Sequence, residues 1–257
     1  LEGHENAVRC VRLYADENKL VSGSSDNTLR IWDRKTGAVE VLSGHTNTVE
    51  DVDVSRDGKL VVSGSSDKTV RIWNVGSGET MHLLECHGEA VRSVQFSHDS
   101  SRVVSGSFHN MVRVWSVETG KLAFEPIECH GGVYCVRYSP SGDRIASGAD
   151  NIQIWNAETG VGILSIQKSS VWSLAWTADG THIIGGRKGE VTIWNSDDGD
   201  QLRTWKAHDS WIDLSLSPTA THKVASLEHD QYVLGIAFSR SGRLIAMGCE
   251  DNKVYLW

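Results

Sequence analysis

Residues 22–32 read SGSSDNTLRIW and residues 63–73 read SGSSDKTVRIW, and a Gly-His pair precedes each, Gly3-His4 and Gly44-His45. Each segment thus offers a Ser, a His and an Asp, the types needed for a nucleophile, a general base and its orienting acid. A hydrolase built this way would need a substrate pocket at every copy. A structural trio needs only that buried polar groups find partners, with a net gain of about 1 kcal/mol per bond and a larger loss when one partner is removed. The duplication favours the structural reading.

The totals narrow the class further. The 257 residues carry 33 acids against 25 bases, a net charge of −8, with 39% hydrophobic and 23% charged residues. That balance is normal for a globular chain and argues against a nucleic-acid backbone or an anionic membrane as partner, since both reward basic patches. No apolar run approaches the roughly 20 residues of a spanning helix. Five cysteines without a C-x-x-C spacing, and no Asn-x-Ser/Thr sequon, point to a reducing, cytoplasmic setting. The first residue is Leu1, and the chain is expected to be a piece of a longer parent protein.

Six tryptophans close similar phrases: Trp32, Trp73, Trp115, Trp155, Trp194 and Trp257, with steps of 41, 42, 40, 39 and 63. His4, His45, His87 and His130 step by 41, 42 and 43. Within a unit, strand-like stretches such as VEDVDV and KLVVSG alternate with polar turns such as SRDG, then TVRIW, a Thr-Gly turn and a fourth strand. Four short strands in about 40 residues cannot bury both faces alone, but a ring of such units can. Gly-His at the start, Ser-x-x-x-Asp in the middle and Trp at the end resemble the WD-repeat β-propeller family. The resemblance covers essentially the whole chain.

It implies an all-β, seven-bladed propeller of four-stranded antiparallel blades in a single domain spanning residues 1–257. The repeats fall near 3–43, 44–85, 86–128, 129–167, 168–206, 207–227 and 228–257. The sixth is truncated, with a third strand and its Trp missing between Ser226 and Leu227, and the closing blade lacks its outer strand. The resemblance also implies structural networks His4–Ser22–Asp26–Trp32, His45–Ser63–Asp67–Trp73 and His130–Ser147–Asp150–Trp155, which tie loops between blades to the inner strands.

Members of this family most often bind partners on the narrow face of the ring. Three position series carry over to it, with small loop adjustments where a repeat departs from the pattern. The fifth residue after the repeat His gives Arg9, Glu50, Arg92, Tyr134, Trp172, Asp213 and Leu234. The third gives Ala7, Thr48, Ala90, Gly132, Ser170, Trp211 and Tyr232. The residue before the network Asp gives Ser25, Ser66, Phe108, Ala149, Arg187 and Glu250. Aromatics gather on blades 4 to 7 as Tyr134, Trp172, Trp211 and Tyr232, and with Arg they are the usual composition of interaction hot spots. An aromatic or cationic side chain could enter between Tyr134 and Trp172. Against this stands a role for both tryptophans in packing between blades.

Other candidates for chemistry are weaker. Cys86-His87 and Cys129-His130 have zinc-ligand types, but each pair falls in the Gly-His slot of its own repeat and should not converge on one ion. Residues 185–189, GGRKG, lack the spacing and following helix of a phosphate loop. No metal, cofactor or catalytic residue is expected. The reading is a non-catalytic scaffold for a protein or peptide segment, part of a larger signalling or adaptor protein. The alternatives are an enzymatic propeller with a small-molecule site at the central channel and a glycan-binding propeller with a site between blades. The enzymatic form would show unpaired His, Asp or Glu converging on the axis, and the glycan-binding form would be secreted or disulfide-bonded.

Overall fold

The computed structural model describes residues 1–85, 87–166, 171–187, 190–206, 233–238 and 244–256. Among the described residues there is no helix, and hence none long and apolar enough to cross a membrane. The described strands form six antiparallel sheets. The first comprises β1 (Val8–Leu13), β2 (Lys19–Ser24), β3 (Thr28–Asp33) and β4 (Val39–Ser43). The second has β5 (Val49–Val54), β6 (Leu60–Ser65), β7 (Val70–Asn74) and β8 (Thr80–Leu84), and the third β9 (Val91–Phe96), β10 (Arg102–Ser107), β11 (Met111–Ser116) and β12 (Ile127–Glu128). In the fourth lie β13 (Cys135–Tyr138), β14 (Arg144–Gly148), β15 (Ile152–Asn156) and β16 (Gly162–Ile166). The fifth holds β17 (Ser173–Trp176), β18 (His182–Arg187), β19 (Glu190–Asn195) and β20 (Gln201–Lys206). A three-stranded sheet of β21 (Val233–Phe238), β22 (Ile245–Cys249) and β23 (Val254–Leu256) follows. The truncated sixth repeat, residues 207–227, lies outside the described residues.

The second strand of each blade explains why these units stack. Successive strand residues point to opposite faces, so an adjacent apolar pair faces two different neighbours. Leu20 packs towards the last sheet while Val21 packs towards the second. Val61 and Val62, Val103 and Val104, and Ile145 and Ala146 repeat the pattern in the next three blades, all fully buried. Each such Leu, Ile or Val side chain contributes roughly 1.5–3 kcal/mol when removed from water. The repeat Trp always joins the core shared with the preceding blade: Trp73 with the first sheet, Trp115 with the second, Trp155 with the third and Trp194 with the fourth.

The innermost strands contact in ring order, β1 with β5, β5 with β9, β9 with β13 and β13 with β17, and β1 also meets β21 and β22. At that junction the Leu1 amine donates to the Val254 carbonyl at 2.7 Å and Val254 N–H donates back to Leu1 at 3.1 Å. Polar side chains stitch the inner strands together. Asp51 on β5 accepts from Ser93 Oγ and from Val94 N–H on β9, both at 3.1 Å, and Arg137 on β13 donates to Ser93 Oγ at 2.8 Å. In the third blade the outer strand has only two residues. The long segment leading into it carries Pro126, which has no N–H to give to a ladder.

One irregularity recurs at the start of the innermost strands. In β1 the register passes from Val8 opposite Ser24 to Cys10 opposite Gly23, leaving Arg9 unpaired. Glu50 in β5, Arg92 in β9 and Leu234 in β21 are skipped in the same way. In the fourth and fifth blades Tyr134 N–H bonds Gly148 and Trp172 N–H bonds Gly186, although Cys135 and Ser173 already pair with those residues. Two residues against one is a β-bulge, which bends the strand and re-aims the extra side chain.

Candidate partner-binding face

The repeated Ser-His-Asp set forms a closed hydrogen-bond network in the first two blades. His4 Nε2 meets Ser22 Oγ at 2.7 Å, His4 Nδ1 meets Asp26 at 2.8 Å, and Trp32 Nε1 donates to Ser22 at 2.8 Å. His45, Ser63, Asp67 and Trp73 repeat it at 2.7, 2.7 and 2.8 Å. Each carboxylate also accepts from two backbone N–H groups and a Thr hydroxyl, in the second blade those of Thr46 and Thr69. Burial works against the charge on Asp67, but hydrogen bonds from His45, Thr69 and Thr46 hold it well below the usual carboxylate range. The Ser hydroxyl is enclosed between imidazole and indole, so no substrate carbonyl can reach it.

In the third blade His87 still meets Ser105 at 2.8 Å and Trp115 still donates there at 2.9 Å. His109 stands in the Asp slot and turns to Ser107, with its ring 5.0 Å from that of His87. His87 Nδ1 is left buried without a partner. Burial, with His109 and Arg113 nearby, pushes the His87 imidazole down to about 3.

The fourth blade corrects the expected network. Its member in the His slot is Cys129, whose Sγ lies 3.7 Å from Ser147 Oγ, the Ser that accepts from Trp155 at 3.0 Å. His130 is exposed and Asp150, also exposed, sits at the tip of a turn two residues shorter than in the first blades. The Cys129–Ser147 separation is 18 residues, as for His4–Ser22, His45–Ser63 and His87–Ser105, so that spacing held the signal. The two Cys-His pairs are therefore one residue out of step, with His87 in the slot in one and Cys129 in the other. No group of three or more metal-ligating side chains occurs among the described residues. In the fifth blade Gly185, opposite Thr192, takes the place of the Ser that accepts from the repeat Trp, and the Trp194 indole N–H has no partner.

The bulge residues meet side chains from the series that precedes the Asp. Arg9 Nε donates to Ser25 Oγ at 2.9 Å, and Ser66 Oγ donates to Glu50. Glu50 pairs with Arg92 of the next blade at 2.7 Å, and the Arg92 guanidinium lies over the Phe108 ring, 4.9 Å from its centre. Phe108 meets Tyr134 edge-on at 5.1 Å, and Tyr134 meets Trp172 at 6.0 Å with the rings tilted by 43°. A continuous strip thus runs from Ser66 to Trp172 across four blades. The third-residue series supports it from below: Ala7, Thr48 and Ala90 offer carbonyls to the N–H groups of Ser25, Ser66 and Phe108.

Tyr134 and Trp172 are half-buried and touch each other, so no side chain fits between them without parting the rings. They form a ledge, which replaces the expected slot. Their mutual contact also makes them packing residues between the fourth and fifth blades. Trp211, Tyr232, Asp213 and Ser170 lie outside the described residues, as does the side chain of Arg187. Sequence reading missed Ser25 and Ser66 as anchors of the bulge side chains and Cys129 as a network member.

The WD domain, G-beta repeat family matches residues 1–33, 37–74, 78–116, 121–156, 160–195 and 221–257. Most matched segments begin with the outer strand of one sheet and end with the third strand of the next, so each repeat interlocks two blades. Similar proteins include Cell division cycle 20.1, cofactor of APC complex, from Arabidopsis thaliana, 29% identical over 132 residues, 41% of this chain and 29% of that protein. WD repeat-containing protein slp1 from Schizosaccharomyces pombe is 29% identical over 131 residues, 42% of this chain and 27% of its own length. APC/C activator protein CDC20 from Saccharomyces cerevisiae is 27% identical over 130 residues, 41% of this chain and 21% of its own length. The matches span less than a third of each relative. With stacked four-stranded sheets, the His-Ser-Asp-Trp networks and six matched segments, the chain belongs to the WD domain, G-beta repeat family.

Proposed function

We propose that the chain is a non-catalytic interaction platform that holds a protein or peptide segment on the narrow face of its propeller, within a larger adaptor or signalling protein. The observation that carries this reading is the strip Glu50–Arg92–Phe108–Tyr134–Trp172, built from bulge residues and their neighbours. Large aromatics beside a guanidinium give much contact area at little entropic cost, the usual basis of hot spots. The relatives named as a cofactor and an activator of the APC complex support an adaptor role. At the channel, Asp51, Ser93 and Arg137 bond one another, which favours a structural over a catalytic use of those groups.

The test is affinity capture from cell lysate with the wild-type chain, a Tyr134→Ala/Trp172→Ala variant and an Arg9→Ala variant, each first shown to unfold cooperatively. Loss of a recovered protein by the aromatic variant supports the reading. Equal recovery by all three would move the contact elsewhere on the ring.

A further inference from the structure

Asp150 has no place in the network of its blade, and this frees a carboxylate beside the aromatic strip. The turn that carries it is two residues shorter than in the first two blades, and Cys129 in the His slot offers no imidazole to bond it. Asp150 is exposed, and it forms no ion pair among the described residues.

Its carboxylate lies against the Gly131-Gly132 loop. A Cβ on Gly131 would lie 2.5 Å from an Asp150 carboxylate oxygen, and a Cβ on Gly132 would lie 3.2 Å from Phe108 Cδ1. Gly131 has φ +122°, which no side chain adopts readily. The carboxylate and the Phe108 ring therefore flank one dipeptide, two residues before Tyr134 in the chain. Around this dipeptide stand the Asp150 carboxylate and the Phe108 ring, which in turn meets Tyr134. That combination attracts a cation, by the ring quadrupole and by the carboxylate together. The strip already seats one guanidinium this way: Arg92 lies over Phe108 with Glu50 as its counter-ion. Tyr134 has no cation over its ring among the described residues.

Resting on the narrow-face reading above, we infer that the bound segment carries a Lys or Arg side chain that lies over the Tyr134–Trp172 ledge with its charge against Asp150. The net charge of −8 acts in the same direction over longer range, drawing basic segments to the chain.

The probe is a phage-displayed library of random heptapeptides, selected on the immobilised chain at low ionic strength. Recovered peptides are then synthesised, with the basic residue and with Met in its place. The inference expects Lys or Arg in the recovered peptides and a loss of about three- to tenfold in affinity on replacing it by Met. Asp150→Asn should cause a similar loss, since an exposed charge pair reinforced by an aromatic face contributes on that order. Raising the salt concentration should weaken binding to the wild type more than to Asp150→Asn. Because Asp150 is exposed, this variant should melt as the wild type does, and the test does not depend on the aromatic substitutions folding. Peptides that need Tyr134 and Trp172 but carry no basic residue, or are indifferent to Asp150→Asn, overturn the inference and leave the narrow-face reading standing. Peptides indifferent to Tyr134→Ala/Trp172→Ala, or no enrichment at all, count against both.

Discussion

Asp67 shows what the repeated acid does. It accepts from His45 Nδ1, from the backbone of Thr46 and from both the backbone and the hydroxyl of Thr69. Asp67→Ala should therefore destabilise by about 2–4 kcal/mol in denaturant unfolding, because several donors lose their acceptor at once. His87 tests the same logic in reverse, since its blade lacks that acid. Its imidazole titrates near 3 when folded and near its ordinary value when unfolded, so the unfolded chain binds the proton first as pH falls. Its contribution is thus fully present above about pH 6.5 and declines between there and about 3, by up to about 1.4 kcal/mol per pH unit. His109→Asp restores a partner for His87 Nδ1. The variant should gain about 1 kcal/mol near neutral pH and lose less of its stability between pH 6.5 and 4.5. Chemical unfolding at several pH values checks both. The Ser-His-Asp-Trp sets of the first two blades were legible because near-identical phrases repeat. The fourth was not, because His130 beside Cys129 satisfies the motif by residue type while the backbone places the cysteine in the slot.

At the scale of the element, the bulge and the Gly-Ser pair opposite it decide how one blade meets the next. In the third blade a Cβ on Gly106 would lie 2.6 Å from Val133 Cγ1 of the following blade. Gly106→Ala should destabilise by about 1–3 kcal/mol through overpacking, and adding Val133→Ala should return part of that loss, which a double-mutant cycle by thermal or urea unfolding would read. The strands themselves were legible from period-two alternation and turn residues. The bulges were not, because a skipped residue leaves no mark in hydrophobic patterning. The series Arg9, Glu50, Arg92, Tyr134 and Trp172 followed from the family's spacing, and its physical basis, an extra residue re-aimed out of the ladder, appears only in the strand registers. The slot expected between Tyr134 and Trp172 fails for a related reason, since sequence spacing does not reveal that their rings already touch.

Across the whole molecule, the order of blades converts single positions into a surface. Glu50, Arg92, Phe108, Tyr134 and Trp172 come from four blades and become neighbours only because the inner strands follow one another around the ring. The outer strands present a competing apolar surface, with Val41 of the first blade and Met81 of the second exposed. The repeat count made the ring legible, whereas the irregular stretch after the fifth repeat, with Trp211 and Tyr232, lies mostly outside the described residues. The most direct test of the account compares two variants, each first shown to unfold cooperatively, Tyr134→Ala/Trp172→Ala on the bulge face and Val41→Glu/Met81→Glu on the rim, in quantitative capture of the same protein partner. The account predicts that the first loses the partner and the second keeps it. A partner retained by the first and lost by the second would contradict it.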